Sequence, residues 1–273
     1  MLAVIPYFAP ITFTLGSWTI GTWEILVALS FIVGLEIARA RGIAQGLDVR
    51  DIVDGVVVTV GMGFVGGHML HVLGYHPELI AQEGWITLFK VWAGLSSTGG
   101  FIGATIGSVV FYKLVRKRPY WPHADAIAFG FPFAWTIARL GCFSAHDHIG
   151  RPSHFPLAVD FPGGPRHDLG LDEALWSAVI AITFVLLRKR TVKPGFFLAL
   201  LVAMYAPVRF GLDFLRATDI AGADLRYAGL TPAQWIMAAL FLLGTWLALR
   251  LRGGLEAKPP AVEGAAVEPP GEG

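Results

Sequence analysis

The chain has a single cysteine, Cys142, in 273 residues, which excludes an intrachain disulfide and any CxxC or Cys/His zinc spacing. Charge is scarce as well: 15% of residues are charged and the net charge is +1, so neither nucleic acid nor a strongly acidic partner is indicated. A soluble domain carries about a quarter charged residues. No Lys or Arg precedes Arg39, so the basic start of a secretory signal is missing. What is abundant is apolar: 55% hydrophobic residues, with 19 Phe and nine Trp, and a mean hydropathy of +0.60. Such a chain strings together apolar runs long enough to cross a bilayer.

Residues 1–21 are interrupted by Pro6, Pro10 and Gly16 and read as an interfacial arm. Apolar runs then predict membrane helices over 22–38, 52–73, 94–112, 124–143, 172–187, 195–213 and 232–250. Small residues recur in the second and third runs (Gly61, Gly63, Gly66, Gly67; Gly94, Gly99, Gly100, Gly103, Gly107), which predicts close contact between those helices. Pro, Glu, Ala and Gly without periodicity over 253–273 predict a disordered tail behind one membrane domain, 1–252.

Fourteen of the 21 basic residues fall on one side of this layout: Arg39, Arg41 and Arg50; Lys113, Arg116, Lys117 and Arg118; Arg188, Lys189, Arg190 and Lys193; Arg250, Arg252 and Lys258. By the positive-inside rule that side is cytoplasmic. The expected fold is therefore an all-α integral membrane protein of seven helices, N-terminus outside, C-terminus cytoplasmic. A small periplasmic head is expected from 1–21 and 144–171, the second of these irregular but packed.

Six of the seven basic residues on the outer half are arginines: Arg139, Arg151, Arg166, Arg209, Arg216 and Arg226. Positive charge placed against the topological bias needs a reason, and a planar guanidinium suits phosphate or carboxylate. Arg139 ends an apolar run; alone it could simply snorkel to the interface. Arg209 and Asp213 are four residues apart on one helix face and can pair, either as site groups or as a packing ion pair. His146, Asp147 and His148, with His154, His68 and His71, are dense enough to suggest a metal. No recognised ligand spacing accompanies them, and no metal or cofactor is predicted.

Four stretches resemble the signature segments of a single family. Arg139-Leu140-Gly141-Cys142-Phe143, followed by Asp147 and Gly150-Arg151-Pro152, is similar to the family's R-[IL]-G-N-F signature continuing N-x-E-x-x-G-R-P. Gly94 to Gly103 resembles its G-L-S-x-H-G-G-x-x-G, and Arg166-His167 with Leu171, Glu173 and Ala174 resembles R-H-P-x-Q-L-Y-E-A. Tyr205, Arg209-Phe210, Asp213 and Arg216 are similar to Y-x-x-x-R-F-x-x-E-x-x-R. On these stretches the chain resembles the bacterial prolipoprotein diacylglyceryl transferases, and the likeness runs over roughly 16–250. It implies an enzyme of the bacterial inner membrane that moves a diacylglyceryl group from phosphatidylglycerol to the lipobox cysteine of a prolipoprotein signal peptide, releasing glycerol phosphate.

Carried over residue by residue, the resemblance implies catalytic roles for Arg139, Arg209 and Asp147. It implies lipid contacts for Arg139, Arg151, Arg209, Asp213, Arg216, Thr98, Gly99, Gly100 and His68, with Arg139 and Arg209 converging on one anion. The departures concern proton transfer. The family's histidine falls at Thr98, its signature asparagines at Cys142 and Ala145, a first-helix tyrosine at Trp23 and a second-helix arginine at His68. A threonine hydroxyl cannot take up a proton near neutral pH, so His146 and His148 are the expected replacement bases. The competing class is an inactive or repurposed relative that binds anionic lipid or lipopeptide. A solute transporter is disfavoured, since no inverted repeat is discernible.

Overall fold

The computed structural model describes residues 5–16, 18–91, 93–220 and 226–251; the expected tail, 253–273, lies outside the described residues. Three short strands open the chain, β1 (Ile5–Pro6), β2 (Thr12–Leu15) and β3 (Trp18–Gly21). Helices α1 (Thr22–Ala44) and α2 (Val49–Leu70) follow, the second extended by a π-helical turn to Tyr75. A short α3 (Glu78–Glu83) and a 3-10 turn (Trp85–Phe89) lead to α4 (Ser97–Val109), itself extended to Val115, and then to α5 (Tyr120–Ala145). Strands β4 (Ile149–Pro152), β5 (Val159–Phe161) and β6 (Gly164–Asp168) precede α6 (Leu169–Leu187), α7 (Phe196–Leu212) and α8 (Pro232–Leu251).

Six of these helical segments are long and apolar enough to cross a membrane: Val49–Tyr75, Ser97–Val115, Tyr120–Ala145, Leu169–Leu187, Phe196–Leu215 and Pro232–Leu251. The molecule is a mostly helical, multi-pass membrane protein. Helix α1 is as long as the others but carries Glu24, Glu36, Arg39 and Arg41. It outruns the expected end at residue 38 because its charges find partners: Arg39 pairs with Glu36 at 2.7 Å, and Arg41 lies between the rings of Phe129 and Phe197. Helix α2 starts earlier than expected because the Asp48 side chain accepts the Arg50 N–H and caps it.

The packing inverts the soluble pattern. Arg139, Arg209, Glu173, Asp213 and His68 are buried, while Leu186, Leu242, Leu114 and Val115 face outward. A bilayer rewards this arrangement, because buried charges need partners that lipid cannot supply. Helices α1 and α5 pack along their length, as do α2 and α4. In the second pair the glycines act as expected: a Cβ on Gly99 would fall on the Gly66 carbonyl.

Strand structure is the main departure from an all-α expectation. The head is a four-stranded sheet of order β1-β5-β6-β4, and β2 and β3 form a separate antiparallel hairpin. Residues 144–171 are therefore ordered by backbone pairing and not irregular, since Gly164 (φ +103°) turns β5 back onto β6. Residues 5–6 join that sheet through β1, pairing parallel to β5.

Candidate functional site

The last turns of α5, the first turns of α6 and the end of α7 meet beneath the sheets, each bringing a charged group into the interior. Arg139 Nε lies 3.2 Å from Glu173 Oε1, and Arg209 Nε lies 3.5 Å from Glu173 Oε2. The anion on which the two arginines converge is thus the protein's own carboxylate. Trp135 Nε1 donates to Glu173 Oε1 at 2.9 Å, and the Tyr205 hydroxyl donates to the same oxygen. Arg139 stacks over Trp135, 4.5 Å from its centroid. Beyond Arg209, Asp213 accepts from Arg209 Nη1 at 2.5 Å, from Arg216 Nε at 2.9 Å and from the Thr231 hydroxyl. Arg139, Arg209 and Arg216 thus share the carboxylates of Glu173 and Asp213. Each charge is affordable in an apolar interior only while its partners remain.

Of these charged groups, Arg139 is the one set in a cavity wall among the described residues. It lines one end of a cavity of about 370 Å³ between α1, α2, α4 and α5, whose walls are otherwise largely apolar. Its Nη2 is buried with no hydrogen-bond partner among the described residues, as is the indole N–H of Trp23 in the same wall. Its Nη1 faces His148 Nε2 at 3.2 Å and Cys142 Sγ at 3.6 Å. His148 in turn hydrogen-bonds Asp147 through Nδ1. A carboxylate on one side and a guanidinium on the other fix the tautomer: Nδ1 carries the proton and Nε2 the lone pair. Burial pushes the His148 imidazole below its ordinary pKa, with Asp147 opposing and Arg139 reinforcing the shift.

Cys142, Asp147 and His148 have ligating atoms within 4.8 Å of one another, a metal-capable grouping that the spacing in the chain did not announce. Arg139 Nη1, in contact with both the thiol sulfur and the imidazole, already supplies a cation there.

The other expected residues divide sharply. His146 does not join His148: it ends α5 in the left-handed conformation (φ 51°) and turns its ring into the head. Its Nδ1 meets Asp168 at 2.7 Å and its Nε2 the Phe8 carbonyl at 3.1 Å, with Tyr7 stacked on the ring at 5.1 Å. Both nitrogens are engaged, which leaves none for a substrate proton. His68 likewise spends Nδ1 on the Gly94 carbonyl (3.0 Å) and Nε2 on the Thr87 carbonyl (2.8 Å), so it holds the α2–α4 connection together and does not face the cavity. Gly100 lines the cavity, Gly99 is spent on the contact with α2, and Thr98 is buried outside the cavity lining. Arg209, Asp213 and Arg216 stand behind Glu173 and line no part of the cavity. Arg151 is exposed on β4, also away from it.

Glu173 was quoted in the resemblance but not nominated for the site. A usable signal was present: two arginines in apolar runs demand a carboxylate, and few carboxylates occupy such runs.

Fold and site together define a multi-pass helical membrane protein in which a network of arginines and carboxylates meets, through one arginine, a largely apolar cavity. A profile described as prolipoprotein diacylglyceryl transferase matches residues 10–250. The chain belongs to that family. The protein named phosphatidylglycerol–prolipoprotein diacylglyceryl transferase in Mannheimia succiniciproducens is 33% identical over 247 residues, covering 88% of this chain and 91% of its own length. Its namesake in Nitratidesulfovibrio vulgaris is 30% identical over 260 residues, with coverage of 92% and 97%. The one numbered 1 in Streptomyces coelicolor is 29% identical over 286 residues, with coverage of 97% and 80%.

Proposed function

We propose that this chain transfers the diacylglyceryl group of phosphatidylglycerol to the thiol of a lipobox cysteine in a prolipoprotein, at the outer leaflet of the bacterial inner membrane. The observation that carries the reading is Arg139: a guanidinium with an unpartnered Nη2 at the end of an apolar cavity. Acyl chains suit the apolar walls, and a headgroup phosphate suits the arginine. The names of the relatives supply the substrates.

In this reading α1 is a seventh span, its charges held as described, the N-terminus lies outside and the C-terminus inside. The sheets then form a periplasmic head, and Arg39, Arg50, Arg116 and Arg188 sit at the cytoplasmic end of the helices. Residues 1–252 form the single membrane domain.

The chemistry divides between two groups. Arg139 binds the phosphate, while Glu173 holds that guanidinium and Arg209 in place. Once the phosphate arrives, Arg139 exchanges the imidazole lone pair for a stronger, anionic acceptor, and His148 Nε2 becomes free. The acceptor thiol gives its proton to that nitrogen, Asp147 steadying the imidazolium. The thiolate sulfur then bonds the glyceryl carbon, and the bond from that carbon to the phosphate oxygen breaks. Glycerol phosphate leaves with the electron pair, its charge opposed by Arg139. His148 thus takes over the task that Thr98, lying off the cavity, does not perform.

Expression in cells depleted of their own transferase tests the reading. Appearance of lipid-modified prolipoprotein supports it; a folded, lipid-binding protein that yields none supports the binding-only relative.

A further inference from the structure

A second cavity, of about 340 Å³, opens beside the first and shares Trp23 and Asp147 with it. That size falls within the roughly 300–1,000 Å³ of ligand clefts. Its roof is the β2–β3 hairpin and its floor the ends of α1 and α5, with Pro10, Ile11, Thr12, Thr19, Thr22 and Ala145 among the lining residues. The hairpin is two-faced. Its register pairs Thr12 with Gly21 and Phe13 with Ile20, and paired residues share a face. Thr12 and Gly21 line the cavity together with Thr19, whereas Phe13 and Ile20 are turned outward and exposed.

The two cavities share Asp147 and differ in their other charged residues. The first ends on Arg139, whereas the second is lined by the carboxylates Glu24 and Asp147 and by no Lys or Arg. An anionic headgroup is drawn to the first and repelled by the second. A neutral, extended polypeptide suits the second: the hydroxyl-bearing side chains of Thr12, Thr19 and Thr22 line it and can hydrogen-bond a main chain lying there. A peptide lying there delivers a thiol to Asp147, whose neighbour His148 faces the first cavity. The unpartnered Trp23 N–H stands in the wall between them.

We infer that the second cavity is the acceptor subsite, which holds the polypeptide around the reacting cysteine under the β2–β3 hairpin. This rests on the transfer reading for the identity of the acceptor, not for the existence of a peptide site.

The test uses the full chain in phosphatidylglycerol nanodiscs, with a photo-crosslinking amino acid at position 19 and a synthetic peptide carrying one lipobox cysteine. Capture of the peptide is expected; capture of phospholipid alone, or of nothing, overturns the inference whether or not the protein transfers. Steady-state kinetics supply the second arm. Thr19→Trp, at an exposed position, should raise the peptide KM about tenfold with the phosphatidylglycerol KM and kcat unchanged. Ile20→Ala, on the outward face, should leave all three alone. Equal effects of the two variants, or a rise in the lipid KM only, overturn the subsite. Absence of transfer by the wild type instead removes the transfer reading and leaves the crosslink to decide.

Discussion

Glu173→Gln isolates the charge at the centre of the network while keeping its shape. The glutamine oxygen can still accept from Trp135 and Tyr205, so the apolar packing and those two bonds survive. The negative charge does not. Arg209 keeps Asp213 at 2.5 Å, but Arg139 loses the one carboxylate it pairs with in the described structure. Removing one partner of a buried ion pair costs about 3–5 kcal/mol, because the other charge is left without compensation. At roughly 2–4 °C per kcal/mol for a chain of this size, the unfolding midpoint in detergent should drop by about 6–20 °C. The variant should also respond more strongly than the wild type to phosphatidylglycerol, since a phosphate can replace the lost carboxylate and a ligand stabilises the state it binds. Thermal melts with and without the lipid measure both effects. A midpoint within about 2 °C of wild type, corresponding to less than about 1 kcal/mol, would refute the reasoning.

Arg139→Lys and Arg209→Lys should part company: the first loses the free guanidinium nitrogen and about 2–4 kcal/mol of phosphate affinity, by analogy with one oxyanion donor, while the second loses mainly stability. Lipid-binding isotherms and melts on the same preparations separate the two. The transfer rate should fall on the acid side only below about pH 6.5, because burial holds the His148 pKa under its ordinary value and the base works unprotonated. An acid limb at or above pH 7, or one unchanged in His148→Ala, contradicts the assignment of the base. His146→Ala should destabilise by about 1–3 kcal/mol, since Asp168 Oδ2 loses its imidazole partner while Oδ1 keeps the Gly170 and Leu171 N–H groups, yet leave the rate per folded molecule unchanged; a melt and an active-site-normalised assay check it. Asp219→Asn should cost less than about 1 kcal/mol, because its pair with Arg166 is exposed.

Six of the expected spans and the contact between α2 and α4 were legible because each has a local cause, apolar length in the first case and the facing glycines in the second; the Asp48 cap that starts α2 earlier was not read. Strand β1 was hidden because it pairs with β5 across more than a hundred residues, and no short-range pattern announces that Ile5 will sit beside Val159; the β2–β3 and β5–β6 pairings are local but only three or four residues long, too short for an alternating pattern to show. In the site, Arg139 could be read from its own anomaly, a cation ending an apolar run. The roles of the histidines could not. His146 and His148 are two residues apart with similar neighbours, and only the left-handed turn at His146 sends one ring into the head and the other to the cavity. That Arg209 can pair with Asp213 followed from their spacing, but its separation from the cavity depends on Glu173 lying between, which is a fact of helix packing.

Incubation of the purified protein with phosphatidylglycerol and a lipobox peptide, followed by mass spectrometry of the peptide and assay of released glycerol phosphate, tests the central claim most directly. The account predicts a peptide heavier by one diacylglyceryl group in thioether linkage, one glycerol phosphate per modified peptide, and neither product from Arg139→Ala. Unmodified peptide in the presence of folded, lipid-bound wild type, or full activity in Arg139→Ala, would contradict it.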